Sequence, residues 1–306
     1  MAPTVAFLGL GNMGRGMCKN IVQKGPLTSP LILWNRTTAR ATALAESLGN
    51  CTVATIIPDA VKPADLIFSC VGDDAALEQI IKTIIDTSDL DIKGKLFVDC
   101  STVHPDTTGR VNETLTAQGA SFVACPVFGA PAFADAGQLV CVPAGPKEAV
   151  DKVKPYLTGV MGRATIDMSG HEVGRASVMK LLGNTFLIST VATLSEGLVL
   201  ADKSGLGTDV YHQWLELMFP GAMVKYSNRM LEGDYHKREE PQFAVDLARK
   251  DLGHAMSLGK DAGIRLRAVE VADGYLQDVK AHAGAKGDIA GMYGAVRKES
   301  GLEFEN

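Results

Sequence analysis

In the first half of the chain, short continuous apolar runs alternate with longer segments whose apolar residues recur at helical spacing. The apolar runs Thr4–Leu8, Leu31–Trp34, Leu66–Cys70, Leu96–Asp99, Ser121–Cys125 and Leu139–Pro143 read as buried strands, with a last short one at Ala164–Met168. Met13–Gln23, Thr38–Leu48, Asp73–Ile85, the stretch "PDTTGRVNETLTAQG" and a segment starting at Lys147 read as helices. Strands that are apolar throughout, separated by helices, imply a mostly parallel sheet covered on both faces.

After about Gly170 the pattern changes and strand-like runs vanish. Helical segments follow one another: His171–Lys203, Thr208–Met218, Met223–Glu232, Gln242–Ala262, Arg265–Ala283 and a tail near Asp288–Ser300. The chain therefore divides into an α/β domain over 1–170 and an all-α domain over 171–306. No internal repeat or low-complexity segment interrupts either part.

Composition narrows the function classes. The 306 residues are 46% apolar and 21% charged with a net charge of −5, an ordinary globular balance with no long basic run. That speaks against a nucleic-acid partner and against an anionic membrane surface. The most apolar helical stretch, Thr185–Leu200, contains Glu196 and falls short of the ~20 residues a span needs. Thr4 already lies in a strand pattern, leaving no room for a leader, so a cytoplasmic protein is expected. The six cysteines show no Cys-x-x-Cys pair and lie mostly in strand-like runs, which reads as buried free thiols rather than disulfides. The six histidines have no ligand spacing, and no metal is expected. His104 reads as a cap or surface residue, His254 as packing, and Trp214 and Phe219 as core.

Candidate chemistry begins with Gly9-x-Gly11-x-x-Gly14, which follows the first strand and opens the first helix. In a dinucleotide fold the first glycine makes the tight turn. The second lets backbone approach a pyrophosphate, and the third lets helix pack on strand. The free N–H groups of the helix N-terminus then face the phosphates. An acid ending the second strand would hold the ribose 2′-hydroxyl of NAD. This strand ends in "LWNRTTAR", with Asn35, Arg36 and Thr37 and no acid. Arg36 suits a 2′-phosphate, so NADPH is favoured over NAD.

The second candidate is "GRASVMKLLGN" (174–184), which opens the long apolar helix. It holds Lys180 and, four residues on, Asn184, on one helix face. A lysine is rarely buried without a partner. In a cleft between the domains it would give a proton to a carbonyl oxygen during reduction and take it back during oxidation, with Asn184 holding the substrate oxygen or the ammonium. Desolvation lowers a lysine pKa, which suits that role. Spacing alone leaves open a lysine that snorkels to the surface.

Several motifs together resemble the β-hydroxyacid dehydrogenases, relatives of 6-phosphogluconate and 3-hydroxyisobutyrate dehydrogenase. These are "VAFLGLGNMGRGM", "DCSTVHPDT" (Asp99–Thr107), "CPVFGAPAFADAG" (Cys125–Gly137), "GRASVMKLLGN" and "FAVDLARKDLGHAM". The resemblance covers nearly the whole chain. It implies a Rossmann-type N-terminal domain, a long interdomain helix carrying the lysine, and a helical domain used for homodimerisation or higher assembly. It implies catalysis by Lys180 and Asn184, and substrate contacts from Ser101, Thr102, Phe128, Gly129 and Ala130. It also implies cofactor contacts from Gly9, Leu10, Gly11, Asn12, Met13, Gly14, Asn35, Arg36, Thr37, Cys70, Val71, Thr102, Phe243, Lys250 and Asp251. Its members act on small acids such as 3-hydroxyisobutyrate, tartronate semialdehyde, succinic semialdehyde and glyoxylate.

One departure bears on substrate. Where the family's loop usually reads Pro-Val-Ser-Gly-Gly, this chain has Pro126-Val127-Phe128-Gly129-Ala130. A hydroxyl that would hold a carboxylate is replaced by an aromatic ring, which points to a bulkier or less polar substrate. Two alternatives share the architecture: an imine reductase and a non-catalytic NADP-binding domain. Both usually lack the lysine that this chain keeps.

Overall fold

The computed structural model describes residues 3–306. Packing divides it into two compact units, one ending at Lys180 and the other running Leu181–Asn306, so the division falls inside a continuous helix.

The first unit starts β1 (Val5–Leu8), α1 (Asn12–Lys24), β2 (Leu31–Trp34), α2 (Thr38–Leu48), β3 (Cys51–Val53), α3 (Ile57–Val61) and β4 (Leu66–Ser69). It continues α4 (Asp74–Ile85), β5 (Leu96–Asp99), α5 (Pro105–Ala117), β6 (Ser121–Ala124), β7 (Val127–Phe128), α6 (Pro131–Asp135) and β8 (Leu139–Cys141). It closes with β9 (Ala144–Gly145), α7 (Lys147–Val153), β10 (Gly162–Thr165) and β11 (Met168–Ser169). The main sheet has the order β11-β9-β6-β5-β4-β1-β2-β3, and a small second sheet has the order β10-β8-β7. All pairings in the main sheet are parallel except β6 with β9.

Strand periodicity explains the two cores. Val5 and Phe7 of β1 pack with Met17 and Ile21 of α1 and Val150 of α7. Ala6 and Leu8, pointing the other way, pack with Leu77 and Ile81 of α4 and Leu115 of α5. Both faces are covered, which is why the strands read as unbroken apolar runs. The run β3-β2-β1-β4-β5-β6 places a topological switch between β1 and β4. In open α/β sheets that switch forms a ligand crevice at the carboxyl ends of the strands.

The second unit begins within α8 (Gly174–Lys203) and continues α9 (Thr208–Met218), α10 (Ala222–Leu231), α11 (Asp234–Lys237), α12 (Val245–Asp261), α13 (Arg267–Ala283) and α14 (Met292–Glu299). Ile188, Val191 and Leu198 of α8 pack with Leu252 of α12 and Leu276 of α13 in its core. By length and composition α8 could cross a membrane, but half of its most apolar window is buried inside the protein.

Two expectations need correction. Trp214 and Phe219 are not core. Leu215 is the buried residue of α9, and Trp214, next to it, turns outward into an exposed aromatic row, stacked on Tyr211 and edge-on to Phe219. The helix anticipated from Gln242 starts only at Val245. The Asp288 carboxylate takes the N–H groups of both Gln242 and Phe243, and Ala244 bridges to Asp288, which holds this stretch extended.

Candidate functional site

The glycine turn lies at the switch point. Gly9 has φ +99°, and a Cβ on it would stand 2.3 Å from the carbonyl oxygen of Cys70, at the end of β4. A Cβ on Gly14 would stand 2.2 Å from the Gly9 carbonyl oxygen. Both positions exclude a side chain because the protein itself occupies the space. Gly11 differs: it is exposed, and nothing lies within 4 Å of where its Cβ would be. It also stands at the N-cap of α1 without any side-chain cap. An open backbone cradle at an uncapped helix start fits a pyrophosphate. Leu10, Met13 and Asn12 complete the turn, and Asn12 accepts a hydrogen bond from Arg15 at 2.6 Å.

The Asn35 side chain ties this turn to the end of β2. Its Oδ1 accepts from the Leu10 N–H at 2.9 Å, and its Nδ2 donates to the Thr37 carbonyl at 3.1 Å. Gly9 N–H adds a bond to the Trp34 carbonyl. Arg36 and Thr37 stand exposed beside it, with no acidic residue among Asn35, Arg36 and Thr37.

Next to the turn, a buried network joins β4 to β5. Ser69 and Ser101 both donate to Asp99 Oδ1 at 2.7 Å, and the Val71 N–H donates to Ser101 Oγ at 2.9 Å. The Ser101 proton is thus committed to a buried carboxylate, and its oxygen fixes the loop carrying Cys70 and Val71. Thr102 follows, half-buried. His104 caps α5, its Nδ1 accepting from the Asp106 N–H, while its backbone N–H donates to Asp74 Oδ1. Asp99 opens the motif that carries Ser101, but Ser69 belongs to no motif, and only the strand register, which pairs Ser69 with Asp99, brings them together.

Phe128, in β7, is half-buried, with Gly129 and Ala130 in the turn before α6. The Nζ of Lys180 lies 4.5 Å from the centroid of the Phe128 ring. Lys180 is only 8% exposed, so its ammonium is buried on α8 and does not snorkel into solvent. The ring face offers the partial negative charge that such an ammonium needs.

In the second unit, Asn184 of α8 is 3% exposed and donates through Nδ2 to Oδ2 of Asp251 on α12 at 2.6 Å. Lys250 Nζ stands 3.3 Å from the other carboxylate oxygen. Phe243 is half-buried in the extended segment ahead of α12. The Asn184–Asp251 bond spans 67 residues of sequence and cannot be read from either motif alone.

All six cysteines are free thiols. Burial pushes Cys51 up to about 11 and holds Cys18 well above the usual thiol range. Cys141 is raised by its hydrogen bond with Cys125 and by burial. None of these three forms a ready thiolate nucleophile.

A doubly wound sheet with an open glycine cradle at its switch point, joined to a helical unit, defines a dinucleotide-dependent oxidoreductase. The profile of the NAD binding domain of 6-phosphogluconate dehydrogenase matches residues 4–170. That of the NAD-binding region of NADP-dependent 3-hydroxyisobutyrate dehydrogenase matches residues 174–296. The chain belongs to the 3-hydroxyisobutyrate dehydrogenase-like family of β-hydroxyacid dehydrogenases. It is 36% identical over 293 residues to the NADH-dependent oxidoreductase ucdB of Aspergillus ustus, covering 95% of this chain and 98% of that one. It is 30% identical over 273 residues to glyoxylate/succinic semialdehyde reductase 1 of Arabidopsis thaliana, covering 88% and 90%. The structure of Mycobacterium tuberculosis 3-hydroxyisobutyrate dehydrogenase shares the fold, with a TM-score of 0.81, 22% identity, and coverage of 97% and 100%.

Proposed function

We propose that this NAD(P)-dependent oxidoreductase reversibly interconverts a small β-hydroxyacid and its carbonyl form, with NADPH as the preferred cofactor and Lys180 as general acid and base. The observation that carries this reading is the buried Lys180 ammonium over the Phe128 ring, one helical turn ahead of Asn184. Burying a charge is costly, and the ring face of Phe128 offsets part of that cost while leaving the ammonium its protons. A bound nicotinamide supplies the hydride. The protein's own part is to bind, orient and move one proton.

Gly9, Leu10, Gly11, Asn12, Met13 and Gly14 form the pyrophosphate cradle, with Cys70, Val71 and Thr102 beside it. Arg36 meets the 2′-phosphate, with Asn35 and Thr37 shaping the strand end. By the motif resemblance, Phe243 and Lys250 are further cofactor contacts. Thr102, Gly129 and Ala130 present polar groups to the substrate, and Ser101 positions the loop around them. In reduction, Lys180 Nζ gives a proton to the substrate oxygen; in oxidation it takes that proton from the alcohol. Asn184 holds the donor in line.

The second unit exposes a line of large apolar residues on α8, Leu182, Phe186 and Leu200, with Phe186 73% exposed. Leu217 and Met218 on α9 are exposed as well. Such a surface fits burial against a second copy, so a cytoplasmic homodimer completes the proposal.

The test follows NADPH and NADH consumption with glyoxylate, succinic semialdehyde, tartronate semialdehyde and a cyclic imine. A semialdehyde with NADPH should turn over fastest. Lys180→Met keeps the length of the side chain without its proton, and should lower that turnover by about 10²–10⁴ while NADPH binding survives. Turnover of Lys180→Met within a few-fold of the unmodified protein would make the lysine structural.

A further inference from the structure

We infer that Asp251 is a positioning residue: it acts on the Asn184 amide and does not itself touch the cofactor. The inference rests on the reading of Lys180 and Asn184 as the reactive pair, and it assigns Asp251 a role different from the one the motif resemblance implies.

Asp251 is 3% exposed, as deeply buried as Asn184. Its Oδ2 receives the Asn184 Nδ2 donor at 2.6 Å, a short bond of the charge-assisted kind. Its Oδ1 makes no hydrogen bond, and the Lys250 ammonium stands 3.3 Å away to balance the charge. Both carboxylate oxygens are therefore oriented within the protein, one by an amide and one by an ion pair.

The chemistry fixes which way the amide points. An ionised carboxylate can only accept, so the NH2 end of Asn184 must face Asp251, and the assignment of O and N is not arbitrary. The Asn184 carbonyl oxygen then lies at the opposite end of the amide, away from Asp251. That orientation makes Asn184 an acceptor for an N–H or O–H donor: the Lys180 ammonium or a substrate hydroxyl. The carboxylate behind the amide polarises it further, since hydrogen bonds in a chain strengthen one another. Remove the charge at 251 and the amide can rotate by half a turn, presenting a donor where an acceptor is needed. The signature of this role is a loss of turnover without loss of cofactor affinity.

The experiment uses four variants of the full chain: Asp251→Asn, Asn184→Ala, these two combined, and the exchanged pair Asn184→Asp with Asp251→Asn. Turnover, substrate KM, NADPH Kd by fluorescence titration and Tm are measured for each. Asp251→Asn should lower kcat by about 10–100-fold, the cost of a misoriented contact, with NADPH Kd little changed. Combining Asp251→Asn with Asn184→Ala should cost no more than Asn184→Ala alone, because Asp251 acts through Asn184. The exchanged pair restores a carboxylate–amide bond in reverse. It should recover Tm but not kcat, which a purely structural bond would recover as well. A rise in NADPH Kd with kcat unchanged would place Asp251 on the cofactor and overturn the inference. So would recovery of kcat in the exchanged pair, or multiplicative losses in the double variant. If Asp251→Asn alone does not fold, the exchanged pair still decides. Retained activity of Lys180→Met would instead remove the reading of the reactive pair, a separate result.

Discussion

The glycine turn after β1 and the polar pair on α8 and α12 are built by opposite means. At the turn, the proposed function is a matter of empty space. Gly9 and Gly14 are glycines because backbone carbonyls 2.2–2.3 Å away leave no room for a Cβ, and Gly11 stands open. At the polar pair, the proposed function is a matter of partners: Asn184 and Asp251 are buried and hydrogen-bonded to each other. Gly14 is confined by the Gly9 carbonyl, five residues away, and Gly9 by its own positive φ as well as by the distant Cys70 carbonyl, so a short glycine spacing already marks the turn. A geometry made by side-chain pairing is shared between distant segments, and each half looks ordinary alone.

The sharpest way to probe the first region is to separate its glycines. Gly9→Ala forces a side chain onto a residue at φ +99° and against the Cys70 carbonyl. It should destabilise the protein by about 2–4 kcal/mol, read from denaturant unfolding. Gly11→Ala meets nothing, and the poorer N-cap should cost only about 1 kcal/mol of stability. NADPH affinity should nonetheless fall by about tenfold or more, some 1.4 kcal/mol. If Gly11→Ala binds NADPH like the unmodified protein, the cradle does not hold the pyrophosphate.

Those two glycines also show how far sequence carries. The spacing Gly9-x-Gly11-x-x-Gly14 identifies the turn, the strand alternation identifies the sheet, and β2, α2, β5 and α9 run over the anticipated residues. What escaped was short or non-local. The edge strand β3 has three residues, and β7 and β9 have two each, too few to show a period. The start of α12 was set by Asp288, over 40 residues away in sequence, whose carboxylate removes Gln242 and Phe243 from the helix. Ser101 is legible as a loop residue, but its commitment to Asp99 and Val71 depends on the register of β4 against β5. Phe128 is visible as a departure from the family loop, whereas its place beneath the Lys180 ammonium is a tertiary fact.

A smaller effect tests the edge of the first region. Arg36 is exposed at the end of β2, and Asn35, not Arg36, holds the turn in place. Arg36→Ala should therefore leave stability unchanged and weaken NADPH binding by about 1.5–3 kcal/mol, the worth of a hydrogen bond to a charged group. NADH binding should barely move. Parallel titrations with the two cofactors check this. Equal weakening of both would show that Arg36 does not read the 2′-phosphate, and would bring the chain into line with its relative named as NADH-dependent.

The smallest effect concerns Phe128, where the motif resemblance leads one to expect a serine. Phe128→Ser restores a hydroxyl able to hold a carboxylate and removes the ring beneath Lys180. These changes pull in opposite directions. The hydroxyl should raise turnover of small carboxylated semialdehydes relative to larger or uncharged carbonyls. Loss of the ring should cost the ammonium about 0.5–2 kcal/mol of cation–π attraction and lower turnover of every substrate. Phe128→Leu separates the two, because it keeps an apolar side chain but has neither ring quadrupole nor hydroxyl. Turnover in Phe128→Leu should fall uniformly across substrates, while only Phe128→Ser should shift the preference ratio. A shifted ratio in both variants would mean that the ring shapes the pocket by bulk alone. No change in either would mean that Phe128 faces Lys180 without taking part in the reaction.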